Sequence, residues 1–216
     1  MNTNSKEVIL AAAKRAAQAH GYNGLNFRDL ATEVGIRAPS IYHHFPSKAD
    51  LGAAVARRYW EDTAANLEAI SAETSDPVHS LHEYPNIFRK SLESDNRLCL
   101  GSFMSAEYDD LPEAVKKEVQ AFADVNVAWL SRTLVAAGLV RREESEARAR
   151  SIYAAVAGAQ LMARSRSDIS LFDALIDGYR AAGLLPADGT GKPELRVNGR
   201  SGSAKRSSTA TRRRPK

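Results

Sequence analysis

Between about residue 5 and residue 185 the apolar side chains recur at the three-to-four-residue spacing of α-helices, and no stretch shows the β-branched alternation of a strand. That pattern predicts an all-α fold in which each helix buries one stripe against its neighbours. With 44% apolar residues in a chain of 216, there is material for a substantial core. The run Val8 to Ala13 is interrupted at once by Lys14 and Arg15, so it does not read as a signal peptide. No segment approaches the roughly 20 uninterrupted apolar residues of a membrane helix. A cytoplasmic protein is the expectation.

Several chemistries are excluded by what the chain lacks. Cys99 is the single cysteine, which rules out an intrachain disulfide and a thiolate-based zinc site. His43 and His44 are adjacent and so leave a helix in different directions; His79 and His82 have helical spacing but no third ligand nearby. There is no glycine-rich phosphate loop, and Cys99 or His43 with Glu107 form no recognisable nucleophile, base and orienter set. The reading is a non-enzyme with no cofactor and no metal. Cys99 lies between Leu98 and Leu100, with Arg97 as the one adjacent cation, and reads as a buried structural thiol in preference to a reactive sensor.

The net charge of +4 is unevenly placed. Residues 186–216 hold nine basic residues (Lys192, Arg196, Arg200, Lys205, Arg206, Arg212, Arg213, Arg214, Lys216) against Asp188 and Glu194, a balance of +7, which leaves −3 for the preceding 185 residues. This segment is rich in Gly, Ser, Thr and Pro and poor in large apolar groups, so it is read as a disordered basic tail. Two roles for it stay open: a solubilising tail, or an arm that binds nucleic acid without sequence preference.

Start and stop signals divide the rest. A first helix is predicted from Ser5, as N-cap, to His20, with Val8, Ala12 (or Ala11), Ala16 and Ala19 inward and Gly21 as its stop. Asn26 can cap a short helix, Phe27 to Val34, ended by Gly35; a second short helix, Ala38 to Phe45, begins with Pro39 where a missing N–H does no harm. Ser47 and Asp50 form a capping-box variant opening a longer helix toward Ile70. Pro85 is expected to kink or split the helix over residues 78–94. Further helices are predicted at Leu98–Glu107, Pro112–Ala137, Glu143–Arg164 and Leu171–Ala182, with Gly138 and Gly183 as stops.

The second short helix is poorly amphipathic. It carries Ser40, Tyr42, His43 and His44, with Arg37 just before it, and only Ile41 and Phe45 are clearly directed to a core. Burial does not explain such a helix; insertion into a DNA major groove does, since the groove admits one α-helix whose N-terminal residues meet base edges.

Residues Phe27 to Leu51 resemble the DNA-binding signature of the tetracycline-repressor (TetR) family of bacterial regulators. Carrying the resemblance are the apolar pair, an alanine, the glycine turn and the run Tyr42-x-x-Phe45-x-x-Lys48-x-x-Leu51, and it extends from residue 5 to about residue 60. It implies an N-terminal three-helix, helix-turn-helix DNA-binding domain (1–50), joined by a connecting helix to a helical effector-binding and dimerisation domain (51–185), followed by the tail (186–216). It implies base contacts from Arg37, Ala38, Pro39 and Ser40, phosphate contacts from Tyr42 and His43, and a further one from Lys48 at a helix N-terminus. Arg28, which opens the preceding helix, is a candidate for the same role. Tyr42 alternatively serves as a packing residue under the first helix, His44 is read as structural or merely solvated, and Arg28 as a helix-start residue without a partner.

A small reader contacts few base pairs, so affinity calls for two copies matched to a palindrome. Ile152, Tyr153, Val156 and Leu161, with Leu171, Leu175 and Tyr179, supply apolar faces for a four-helix interface between two subunits, and the resemblance points to the same two helices. The same faces alternatively bury within one subunit. In the middle of the chain Phe88, Cys99, Phe103, Met104, Tyr108, Phe122, Asn126 and Trp129 have the composition of a ligand pocket, or of ordinary core. The function implied is a ligand-responsive repressor acting on double-stranded operator DNA as a homodimer, with an unidentified small-molecule effector; the alternative is nonspecific nucleic-acid binding through the tail.

Overall fold

The structure, a computed structural model, describes residues 3–187, and the segment beyond, which includes most of the basic tail, lies outside them. Among the described residues there are nine α-helices and no strand: α1 (Thr3–His20), α2 (Phe27–Glu33), α3 (Ala38–His44), α4 (Lys48–Glu73), α5 (Pro77–Glu93), α6 (Leu100–Ala106), α7 (Glu113–Ala136), α8 (Arg142–Arg166) and α9 (Ile169–Ala181). The all-α reading from periodicity is what the chain adopts.

Local chemistry accounts for the element ends. The Asn26 side chain accepts from the N–H groups of Arg28 and Asp29 to start α2, and Asp76 and Asp168 cap α5 and α9 in the same way. At α4 the Ser47 hydroxyl accepts from the Asp50 N–H at 3.2 Å and donates to the Asp50 carboxylate at 2.7 Å. Asp50 therefore closes the capping box on the serine side chain and not on its backbone. Gly35, Gly138 and Gly183 end their helices with φ of 70°, 68° and 72°, the left-handed stop that glycine takes without a Cβ penalty.

Two predictions about single helices need correction. The first concerns α1, which begins at Thr3, so Ser5 lies inside it and not at its cap. Its inward stripe is Ile9, Leu10, Ala12, Ala13 and Ala17, while Val8 is 45% exposed; the large Ile9 and Leu10 take the inner face and rotate the stripe by one residue. The second concerns α5, which runs unbroken through Pro85, so the proline does not split it. Pro85 is buried between the turns of Tyr84 and Phe88, both in the core, and their packing offsets the one backbone hydrogen bond that proline forfeits.

Two clusters make up the core. One unites α1, α2 and α3 with the first half of α4 (Leu51, Val55, Ala56) and with Leu100, Met104, Leu111, Val115 and Val119 from further along the chain. The other fills the space among α4, α5, α7, α8 and α9 around Tyr84, Phe88, Trp129, Ile152, Val156 and Phe172. Tyr59, halfway along α4, packs against both.

Glu118 fastens α7 to α4. Its side chain is 9% exposed; Oε1 accepts from Arg57 Nη2 at 2.7 Å and Oε2 from Trp60 Nε1 at 2.8 Å. Burial alone raises the carboxyl's pKa, but the bonds from Arg57 and Trp60 and the Arg57 charge outweigh it, and the net position is below the ordinary glutamate value. A folded-state pKa below the unfolded one contributes stability above the unfolded value of about 4.3, and that stability is lost as the pH falls through the lowered value. Urea denaturation should therefore show Glu118→Gln less stable than the wild type at pH 7, with the gap closing at pH 3. A gap of equal size at both pH values contradicts an ionised Glu118 in the folded protein.

Candidate nucleic-acid interface

The interface is built on two short helices and the turn between them. Gly35 reverses the chain after α2, the Ile36 N–H returns to the Ala31 carbonyl at 2.9 Å, and Arg37 stands in extended conformation as the residue before α3. Ala38 and Pro39 fill the first turn of α3, where Pro needs no N–H partner. The helix is held from beneath by Ile41, fully buried, and followed by Phe45 at 3% exposure.

The outer side holds what the sequence assigned to it. Arg37, Pro39, Ser40, Tyr42 and His43 are exposed, Arg28 stands exposed at the start of α2, and Ala38 and His44 are half-buried. Among the described residues neither Arg28 nor Arg37 makes an ion pair, so their donors face solvent. Tyr42 is 54% exposed, and its ring packs on Phe27 of α2 with centroids 4.5 Å apart, not under α1. Lys48 opens α4, its Nζ 4.7 Å from the centroid of the Tyr22 ring and 3.5 Å from the Asn23 carbonyl it donates to. A cation at the N-terminus of a 26-residue helix sits against the positive end of its dipole, an arrangement that favours a nearby anion. Lys6 of α1 adds a charge 5.8 Å from the Phe45 ring, a neighbour that no local motif signals.

The candidate pocket residues separate into three places. Phe88, Cys99, Phe122 and Trp129 share one core cluster with Tyr84 and Tyr153, and Asn126 is fully buried beside them, accepting from the Tyr84 hydroxyl at 3.0 Å and donating to the Phe122 carbonyl at 2.8 Å. Met104 belongs to the other cluster, beneath α1 and α4. Phe103 is half-buried under the Arg164 guanidinium, and Tyr108 is 38% exposed beneath Lys116, so these two lie outside the aromatic interior. Burial pushes the Cys99 thiol pKa up, despite bonds from Ser102 and Tyr59 that favour the thiolate. Burial also raises the phenols of Tyr59, Tyr84 and Tyr153. A cleft of about 340 Å³ between α4, α5 and α7 has Trp129 in its lining with Ser71, Ser80 and Thr133.

The candidate interface residues on α8 and α9 also divide. Ile152 and Val156 are fully buried inside the subunit, and Tyr153 turns its ring toward Phe88 and Phe122, so these three serve the internal core. Leu161, 57% exposed, faces outward with Met162 beside it, and Leu171, Leu175 and Tyr179 are half-buried on α9.

A short helix with a polar outer side, anchored beneath by two apolar residues and preceded by a second helix across a glycine turn, is a helix-turn-helix. Residues 9–55 match the family model described as bacterial regulatory proteins, tetR family. The chain is 41% identical over 69 residues to the transcriptional repressor AcnR of Corynebacterium glutamicum, a match spanning 32% of this chain and 35% of that protein. It is 28% identical over 135 residues, 62% of this chain and 58% of the relative, to the transcriptional activator FasR of Mycolicibacterium smegmatis. Among solved structures, a TetR transcriptional regulator from Legionella pneumophila superposes with a TM-score of 0.78 at 32% identity, over 84% of this chain and 97% of that one. The chain belongs to the TetR family. These relatives are named as regulators and not as enzymes, in agreement with the reading from the absent catalytic sets. Among the described residues no helix is long and apolar enough to cross a membrane.

The two sides of α3 should separate in their effect on stability. Ile41→Ala should lower the unfolding free energy by about 2–5 kcal/mol, whereas Arg37→Ala and Ser40→Ala, being exposed and unpaired, should stay within about 0.5 kcal/mol of the wild type. Chemical denaturation of the three variants checks this, and an equal loss in Arg37→Ala would assign that side chain to the fold.

Proposed function

We propose that this chain is a ligand-responsive transcriptional repressor that binds a palindromic operator as a homodimer. The observation that carries the proposal is the outer side of α3: exposed Arg37, Pro39, Ser40, Tyr42 and His43 on a helix whose Ile41 alone is fully buried. In this reading residues 1–50 read DNA, 51–185 sense and dimerise, and Arg37 and Ser40 meet base edges. Ala38 and Pro39 supply apolar contact to thymine methyls, while Arg28, Tyr42, His43 and Lys48 meet phosphates.

Dimerisation uses the outward side chains of α8 and α9, namely Leu161, Met162, Leu171, Leu175 and Tyr179; two exposed large apolar residues on one helix support a protein partner there. The effector is an apolar small molecule that parts the aromatic interior around Phe88, Phe122, Asn126 and Trp129, reached from the cleft that Trp129 lines. Repression is the action of the corynebacterial relative, the repressor AcnR. Activation, the action of the mycolicibacterial activator FasR, is the second reading.

The test is to incubate the purified protein with sheared DNA of its own genome and sequence what stays bound at moderate salt. The wild type should enrich a short palindrome, and an Arg37→Ala, Tyr42→Ala double variant should lose it. Enrichment that is flat, or that survives in the double variant and disappears on deletion of residues 186–216, overturns the proposal in favour of nonspecific binding by the tail.

A further inference from the structure

The turn between α1 and α2 is held by a residue 85 positions away. Glu107, which follows α6, extends its carboxylate so that Oε2 accepts the backbone N–H of Tyr22 at 2.7 Å. Gly21, immediately before, has φ 66° and ψ −162°, a conformation open essentially to glycine alone. A β-carbon at Gly21 would collide with both Glu107 carboxylate oxygens. The turn is thus shaped to admit this carboxylate.

What the turn carries matters to the candidate interface. The Tyr22 ring lies under the Lys48 ammonium, the Asn23 carbonyl accepts from the same group, and the Tyr22 ring edge sits where a side chain at Gly52 of α4 would otherwise stand. Glu107 therefore reaches Lys48 through Tyr22. At its other end α6 is pressed against the aromatic interior: a β-carbon at Gly101 would collide with the Phe122 ring, and the Cys99 N–H is held by the Gln160 side chain at 3.1 Å. This one short helix spans from Phe122 to the turn behind Lys48.

We propose that Glu107 is a positioning residue for DNA reading. It sets where Lys48 and the start of α4 stand relative to the body, and it does so through α6 and the turn before α2, in addition to the packing of α4 itself. The functional arm of this proposal rests on the operator reading above; the contact itself does not.

The experiment compares the full-length wild type with Glu107→Ala, Glu107→Gln, Gly21→Ala and, as a neighbouring acidic control, Asp109→Ala. Amide exchange at Tyr22 reads the contact directly. A charge-assisted hydrogen bond of ordinary strength corresponds to about tenfold or more, so Glu107→Ala should exchange at least about tenfold faster there, while Glu107→Gln, which keeps an acceptor oxygen, should stay near the wild type. Binding is then measured on the palindrome the wild type recovers, synthesised with half-site spacings varied in single-base-pair steps. The wild type should show one optimum. Glu107→Ala and Gly21→Ala should lose about tenfold at that optimum and flatten or shift the profile, with Glu107→Gln restoring it and Asp109→Ala leaving it unchanged.

Unchanged Tyr22 exchange in Glu107→Ala overturns the contact. Faster exchange with the wild-type spacing profile retained shows a merely structural role and overturns the positioning. Failure of the operator reading is seen separately, in the wild type's own failure to recover a palindrome.

Discussion

The burial of the first half of α4 is the constraint that ties the first three helices to the rest of the chain. Leu51, Val55 and Ala56 share a single apolar cluster with Ile9, Leu30 and Ile41 of the first three helices and with Leu100, Val115 and Val119 of α6 and α7. A reading unit of three helices is small for an independent core, and it gains the missing apolar surface from the body. The first three helices and the body therefore share a core, joined through α4.

Polar contacts refine this placement more than they stabilise it. Arg58 pairs with Glu7 and Lys14 with Asp62, tying α1 to α4, but these side chains are 35–45% exposed and such pairs contribute little. Glu118 differs because it is buried, where removal of one partner leaves the others unsatisfied. Arg89 joins α5 to α9 through Asp173 at 2.8 Å, but its partly exposed side chains place this pair with Arg58–Glu7 and not with Glu118. The ties run between helices distant in sequence, so they fix angles and register that apolar packing alone leaves loose.

Much of the architecture was legible because it is written in local chemistry. Caps at Asn26 and Ser47, the stop at Gly35 and Pro39 in the first turn place α2, α3 and the start of α4 within a residue of the predicted limits. The polar side of α3 was legible for the same reason, since a seven-residue helix with Ile41 and Phe45 as its apolar anchors has one way to face the core. Faces of the longer helices were harder to read. Alanine-rich α1 offers two stripes of similar hydrophobicity, and only packing chooses Ile9 over Val8. In α8, Ile152 and Leu161 are equally apolar in sequence, yet one is fully buried and the other faces outward. Phe103 and Met104 are neighbours assigned to one pocket that the helix sends to different surroundings. The Glu107 contact carries no local signal except Gly21, whose requirement for a carboxylate neighbour appears only when the chain is folded.

The proposed function puts α3 in the major groove on each of two half-sites. Guanine N7 methylation interference on genomic fragments retained by the full-length protein tests it most directly, because that atom lies on the major-groove edge. Interference should fall in two clusters on one face of the duplex, their centres separated by about 10 base pairs or a multiple of that. Interference that is absent, or spread evenly along the retained fragments, would contradict it.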